Sequence, residues 1–219
     1  MGQALPSVGM GPRASEGGHG PVIALVRRSI AGLSAPRTSS TEETHASAPH
    51  QGPALSVPLV GGGTYTLGAE KPGTFDVVIF YRGKHCPLCN KYLNEVQGEL
   101  EAAAGQGINV VAVSMDTEER ATAAVAEWGV GKLRVGYGMS EATAREWSLY
   151  ISSQRPGSQE PAVFSEPGLM VVDPEGTLFF VQVQSAPFTR PNFAALLGGL
   201  KFVTENNYPA RGDLTAKAA

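Results

Sequence analysis

The sequence predicts an α/β domain, a central mixed β-sheet flanked by helices, with a β-hairpin extension at its N-terminal side. Three observations carry this. Short apolar runs alternate with helix-periodic stretches from about residue 76, the order that builds parallel strand pairs. The runs Asp76–Tyr81 and Ile108–Val113 are apolar at consecutive positions, as strands covered on both faces are. Two further apolar segments are joined by Asp173-Pro174-Glu175-Gly176, a turn sequence that reverses the chain and makes the sheet mixed.

The elements follow in order. Ser56-Val57-Pro58-Leu59-Val60 and Thr64-Tyr65-Thr66-Leu67 flank Gly61-Gly62-Gly63 and read as the hairpin. After the strand at 76–81, Leu88, Tyr92, Leu93, Val96 and Leu100 recur at helical spacing over residues 88–103, with Gly105 and Gly107 as the stop. The strand 108–113 leads to Asp116 and Glu119, which read as a capping box opening a helix with Ala121, Ala124, Val125 and Trp128 on one face. A short strand over Leu133–Tyr137 precedes a helix capped by Ser140 that runs through Trp147 to Tyr150. Residues 152–166 read as a loop. Leu169–Val172 and Thr177–Val183 form the antiparallel pair, and a last helix starts near Pro191, a residue suited to a first helical turn.

Composition sets the outer limits. None of the sixteen aromatic residues precedes Tyr65, and residues 1–50 carry seven Gly, five Pro, seven Ser and three Thr. Such a segment buries too little apolar surface to offset its ordering entropy, so 1–50 is expected to be a disordered tail, 51–209 the folded domain and 210–219 a C-terminal tail. Within the first segment, Val22–Val26 is followed by Arg27 and Arg28. A secretory signal has its charge before the apolar run, and a longer run. With four Arg against one Glu in residues 1–40, an organellar transit segment is the alternative to a cytoplasmic location, which is the default expectation. The net charge of −3 gives no basic field for nucleic acid, and no apolar stretch approaches a membrane span. Nothing in the sequence sets an oligomeric state.

Two cysteines exclude a disulfide-dense scaffold and a four-cysteine metal site. Both lie in Tyr81-Arg82-Gly83-Lys84-His85-Cys86-Pro87-Leu88-Cys89, where a buried strand hands over to a helix. Cys86 falls at the helix N-terminus, where free N–H groups and the macrodipole favour an anion. Pro87 suits the first helical position. Arg82, Lys84 and His85 are expected to add positive charge, and all of these favour the reactive thiolate. Cys89, three residues on, shares a helical face with Cys86, so the pair can cycle between dithiol and disulfide. Cys86 is expected at the exposed end as attacker, with Cys89 deeper as resolver.

Other uses of these residues fit less well. Tetrahedral zinc needs a fourth group beyond His85, Cys86 and Cys89, and three of the four His fall in residues 1–50. Haem attachment wants His after the second Cys, where Asn90 stands. A bridge closing so short a loop stabilises little as a structural disulfide. No cofactor or metal is expected.

The junction at 81–89 resembles the thioredoxin superfamily, and most of all its peroxiredoxin-like branch of alkyl hydroperoxide reductase and thiol-specific antioxidant relatives. The resemblance spans roughly residues 51–209, with Pro-Gly-Leu-Met-Val-Val-Asp-Pro-Glu-Gly at 167–176 as a second match. It implies a thioredoxin-like fold and places Pro167 at the cis-proline position facing the active-site sulfurs. The chain departs from the family in three places. The Pro-x-x-x-Thr/Ser-x-x-Cys signature has Ile79 at the Pro position and Gly83 at the Thr position. The arginine before the later strand is replaced by Glu166 and Pro167. The cysteine spacing is closer to that of thioredoxins and glutaredoxins.

Three functions follow as expectations. The first is an antioxidant thiol peroxidase in cell redox homeostasis, reducing hydroperoxides through a Cys86 sulfenate that Cys89 resolves. An external reductant of the thioredoxin or glutathione type then reduces the disulfide. The second is a thioredoxin- or glutaredoxin-like oxidoreductase acting on a disulfide substrate, and the third a non-catalytic redox-sensing or metal-binding domain.

Overall fold

Residues 50–214 are described by the structure, a computed structural model of the chain. The tail and targeting expectations for 1–50 fall outside the described residues, His50 excepted, as do the last five positions of the C-terminal tail.

The hairpin forms as β1 (Ser56–Pro58) and β2 (Thr64–Thr66), antiparallel about three glycines that all hold positive φ. Val57 and Tyr65 face each other in register and are buried, while their strand neighbours are exposed. β3 (Phe75–Phe80) is buried at all six positions. The single helix expected over 88–103 is two helices, α1 (Pro87–Gly98) and α2 (Leu100–Gly105). They break at Glu99, whose φ of −103° and ψ of 2° leave the helical region. Gly98 weakens the helix there by about 1 kcal/mol relative to alanine.

β4 (Ile108–Val113) leads to α3 (Glu118–Trp128), capped by Thr117, whose Oγ1 accepts the Arg120 N–H at 3.4 Å. Asp116, expected as the cap, is buried and serves the turn before α1. β5 (Arg134–Gly136) and the Ser140-capped α4 (Glu141–Glu146) follow, and α4 ends before Trp147. The stretch 152–166 is not only loop. β6 (Ile151–Ser153) and β7 (Val163–Ser165) pair antiparallel across it. Strands of three residues in so polar a segment leave no alternation to read. β8 (Gly168–Val172) and β9 (Leu178–Val183) are antiparallel, and α5 (Phe193–Asn206) is capped by Asn192, so Pro191 precedes the cap.

The five-stranded sheet has the order β5-β4-β3-β8-β9, parallel from β3 to β5 and antiparallel across β3-β8-β9. Strand alternation divides its core in two. Val77, Ile79, Val110, Ala112, Leu169 and Val171 face α1 and α5, meeting Tyr92, Leu93, Val96, Leu197 and Leu200. Val78, Phe80, Val111, Val113, Met170 and Val172 face the other way, against Trp147, Leu149 and the hairpin's Val57 and Tyr65. Burying each large aliphatic side chain contributes roughly 1.5–3 kcal/mol, so the end of β3 is held firmly from both faces. Cys86 and Cys89 belong to the first of these clusters.

Candidate active site

The site is built where β3 stops. Gly83 turns the chain with a φ of +119°, and its carbonyl accepts the Cys86 N–H at 3.1 Å. Asp116 holds the turn from the side, its Oδ2 accepting the Lys84 N–H at 2.6 Å and its Oδ1 the Arg120 Nε–H at 2.7 Å. Cys86 lands at the N-cap of α1 with extended dihedrals, and Pro87 takes the first helical position. The Cys86 Sγ accepts the Cys89 N–H at 3.4 Å. No acidic residue stands in the first turn of α1, so no carboxylate of that turn opposes an anion there.

The two sulfurs, both free, are biased in opposite directions. Cys86 is brought down to about 6, chiefly by a hydrogen bond from the Cys89 thiol. Burial opposes this, while the Cys89 N–H and the Arg82 guanidinium assist it. Cys89 is pushed well above the ordinary thiol value by burial, with the hydrogen bond to Cys86 and the charge there adding to it. Both residues are 1% exposed, so Cys86 is not at an open end, while Cys89 lies in the more deeply buried surroundings of the two. Pro87 and Leu88, on the same turn, are exposed and bring Cys86 within one residue of solvent.

The surrounding charges differ from expectation. Arg82 does reach Cys86, and it is shared with two buried carboxylates: its Nη2 lies 3.1 Å from Glu160 and its Nε 3.1 Å from Glu166. Its guanidinium also stands 4.7 Å over the Phe164 ring. Lys84 directs its ammonium away, to Glu127 at 2.8 Å. His85 supplies no charge at neutral pH. Burial, and then the Arg82 cation, lower it to about 4, and its ring packs edge-on against Phe164. Both positive charges expected from Lys84 and His85 are therefore absent from the sulfurs, because one is spent on α3 and the other is removed by desolvation.

Pro167 is buried just ahead of β8, its carbonyl accepting the Gln184 N–H at 2.9 Å. It borders a small cleft with Tyr92, Leu169, Gln184 and Arg190. Arg190 is a site residue that sequence reasoning missed. It comes from the loop before α5, and its Nη2–H donates to the Cys89 Sγ at 3.5 Å. A separation of 101 positions leaves no spacing signal to find it. Glu160 and Asp116 were equally hidden. Glu160 is held at about 2, first by the Arg155 N–H, and it closes the loop between β6 and β7 onto Arg82.

Residues 49–181 match the AhpC/TSA family. The chain belongs to that family. The likeness extends to solved structures. Peroxidoxin BcpB from Mycobacterium tuberculosis is 15% identical, with a TM-score of 0.58 over 71% of this chain and 96% of that one. AhpC of Mycobacterium tuberculosis is 16% identical, with a TM-score of 0.59 over 74% and 95%. The bacterioferritin comigratory protein of Xanthomonas campestris is 22% identical, with a TM-score of 0.53 over 68% and 90%. These establish the thioredoxin-like fold. No curated protein matches the chain. As an AhpC/TSA protein the chain is an oxidoreductase of the thiol-peroxidase kind. Among the described residues this AhpC/TSA domain groups no three His, Cys, Asp or Glu side chains that could hold a metal ion.

Proposed function

We propose that the protein is a two-cysteine thiol peroxidase in which Cys86 attacks a hydroperoxide and Cys89 resolves the product. One observation carries this reading: neighbouring sulfurs on one helical turn, one favoured as the anion and the other kept as the thiol. The Cys86 thiolate attacks one peroxide oxygen. The O–O bond breaks, the alkoxide leaves and takes a proton to become the alcohol, and Cys86 is left as a sulfenic acid. Cys89 then attacks the Cys86 sulfur. An S–S bond forms, the S–O bond breaks, and the oxygen departs as water with the Cys89 proton. Two equivalents of an external thiol, of the thioredoxin or glutathione type, return the disulfide to the dithiol and are themselves oxidised.

A second reading, a thiol–disulfide oxidoreductase, is favoured by Gly83. No hydroxyl stands there to hold a peroxide, whereas attack on a disulfide needs none. In that case the Cys86 thiolate forms a mixed disulfide and Cys89 displaces the reduced product.

Purified protein assayed side by side with an organic hydroperoxide and with an insulin disulfide separates these readings. Faster thiol-dependent turnover of the hydroperoxide is expected. Faster reduction of insulin replaces the first reading with the second, and no turnover of either overturns both in favour of a redox-sensing domain.

A further inference from the structure

We propose that Arg190 is a catalytic residue that holds the Cys89 sulfur as an anion, both as it attacks oxidised Cys86 and as it leaves when the disulfide is reduced. The role in attack rests on the two-cysteine reading above. Three features of the geometry carry the inference.

The guanidinium is built in place. Its Nη1 donates to Gln184 Oε1 at 3.0 Å, to the Pro187 carbonyl at 3.0 Å and to the Thr189 carbonyl at 2.7 Å, leaving Nη2 on the Cys89 Sγ. Gln184 is itself fixed through Nε2 to Thr189 Oγ1 at 3.1 Å. A planar fork holds oxygens with one nitrogen and the sulfur with the other in a fixed geometry, which a single rotatable ammonium does not impose.

The charge is also unspent. Every oxygen that Arg190 touches is a neutral acceptor, and among the described residues no carboxylate pairs with it. Arg82, by contrast, is divided between Glu160 and Glu166. Of the two arginines at the sulfurs, Arg190 is the one whose charge meets no opposing ion.

The third feature is timing. Around Cys89 stand Cys86 at the N-cap of α1, the Arg82 backbone N–H in the turn between β3 and α1, the Tyr81 hydroxyl just past the end of β3, and Arg190 from the loop before α5. Tyr92 lies one turn along, beside Arg190, and feels that cation and the Glu95 carboxylate. While Cys86 is an anion, its charge and burial keep the proton on Cys89, and Arg190 opposes them without prevailing. Conversion of Cys86 to a neutral sulfenic acid removes the opposing anion and leaves the guanidinium as the dominant charge at Cys89. The resolving sulfur is thereby activated only after the attacking one has reacted. Its proton goes to the departing oxygen as water forms, and Arg190 stays protonated throughout. In reduction, an external thiolate attacks the Cys86 sulfur, the S–S bond breaks, and Cys89 leaves with the electron pair against the same cation.

Two measurements test this. In a Cys86→Ser background, alkylation of Cys89 by a small reagent is followed by mass across a pH series, with and without Arg190→Gln. The expected result is a rate about tenfold lower at each pH below the Cys89 midpoint, partly restored by Arg190→Lys. An unchanged rate overturns the proposal, whatever the protein's substrate. In single turnover with a hydroperoxide, rapid quenching and intact mass separate sulfenate from disulfide. Arg190→Gln is expected to slow the sulfenate-to-disulfide step about tenfold, and equal rates overturn the role in resolution. Failure of wild-type Cys86 to be oxidised by hydroperoxide counts against the peroxidase reading instead, and the alkylation series then decides the role of Arg190 alone.

Discussion

The Asp116 carboxylate fills the space that a β-carbon on Gly83 would need. An ideal Cβ there comes within 2.7–2.9 Å of its oxygens and carboxyl carbon, closer than such contacts allow. The positive φ of 119° at Gly83 is a second obstacle to any side chain. The two residues therefore form one device. The glycine makes the turn, and the carboxylate takes the Lys84 N–H and fixes the direction in which the chain enters α1.

Restoring the family's threonine at this position is expected to fail. Gly83→Thr should lower stability by about 1–3 kcal/mol, read from the denaturant midpoint, since it stores backbone strain and displaces a buried carboxylate. It should not speed the reaction of Cys86 with hydroperoxide. A variant as stable as wild type that consumes peroxide faster would show that the turn can relax.

Arg82 and Glu166 are expected to be coupled. Arg82→Met removes one cation beside Cys86 and leaves Glu160 and Glu166, both buried, with fewer partners. The Ser152 hydroxyl still serves Glu166, and Arg155 still serves Glu160, so the stability cost should be about 2–3 kcal/mol. The Arg82→Met/Glu166→Gln pair should recover at least about 1 kcal/mol of it. Additive losses in urea unfolding would mean that the two do not interact.

Much of this was legible in the sequence, and for a physical reason: strand and helix periods are local. The buried β3 run, the proline at the first position of α1 and the two cysteines on one turn are all written within a few residues of one another. What surrounds the sulfurs is not. Arg190, Glu160 and Asp116 reach the site from three different loops, and no pattern in the chain binds an arginine before α5 to a cysteine in α1. Charge is also invisible before burial is known. His85 reads as a cation in the sequence and is neutral in its packed position.

That neutrality has a consequence for acid stability. His85 binds a proton near pH 6.5 when unfolded but only near about 4 when folded. Between those values the unfolded state holds more protons, so stability falls as pH drops from 6.5 to 4, by about 1–2 kcal/mol after solvent screening. Glu160, with its folded value lowered, loses its contribution in a separate window, as pH falls from about 4.5 toward 2. His85→Phe should flatten the decline between pH 6.5 and 4 in chemical denaturation while leaving the lower one. An unchanged slope in that range would show that the ring takes up its proton without unfolding.

The last prediction separates the causes of Cys86 activation. The rate of Cys86 oxidation by hydroperoxide should rise tenfold per pH unit below about 6 and flatten above 7, because only the thiolate reacts. The foremost cause is a hydrogen bond from the Cys89 side chain, so the replacement made at 89 decides the outcome. Cys89→Ser keeps a donor and should hold the midpoint near 6 while trapping Cys86 as a sulfenate visible by mass. Cys89→Ala removes the donor and should raise the midpoint by about one unit or more, leaving only the Cys89 N–H and Arg82 to support the anion. Cys86→Ser should abolish the reaction. Equal midpoints for Ser and Ala at position 89 would transfer the activation to the helix terminus and Arg82, and a midpoint near that of a free thiol in the wild type would remove the basis for Cys86 as the attacker.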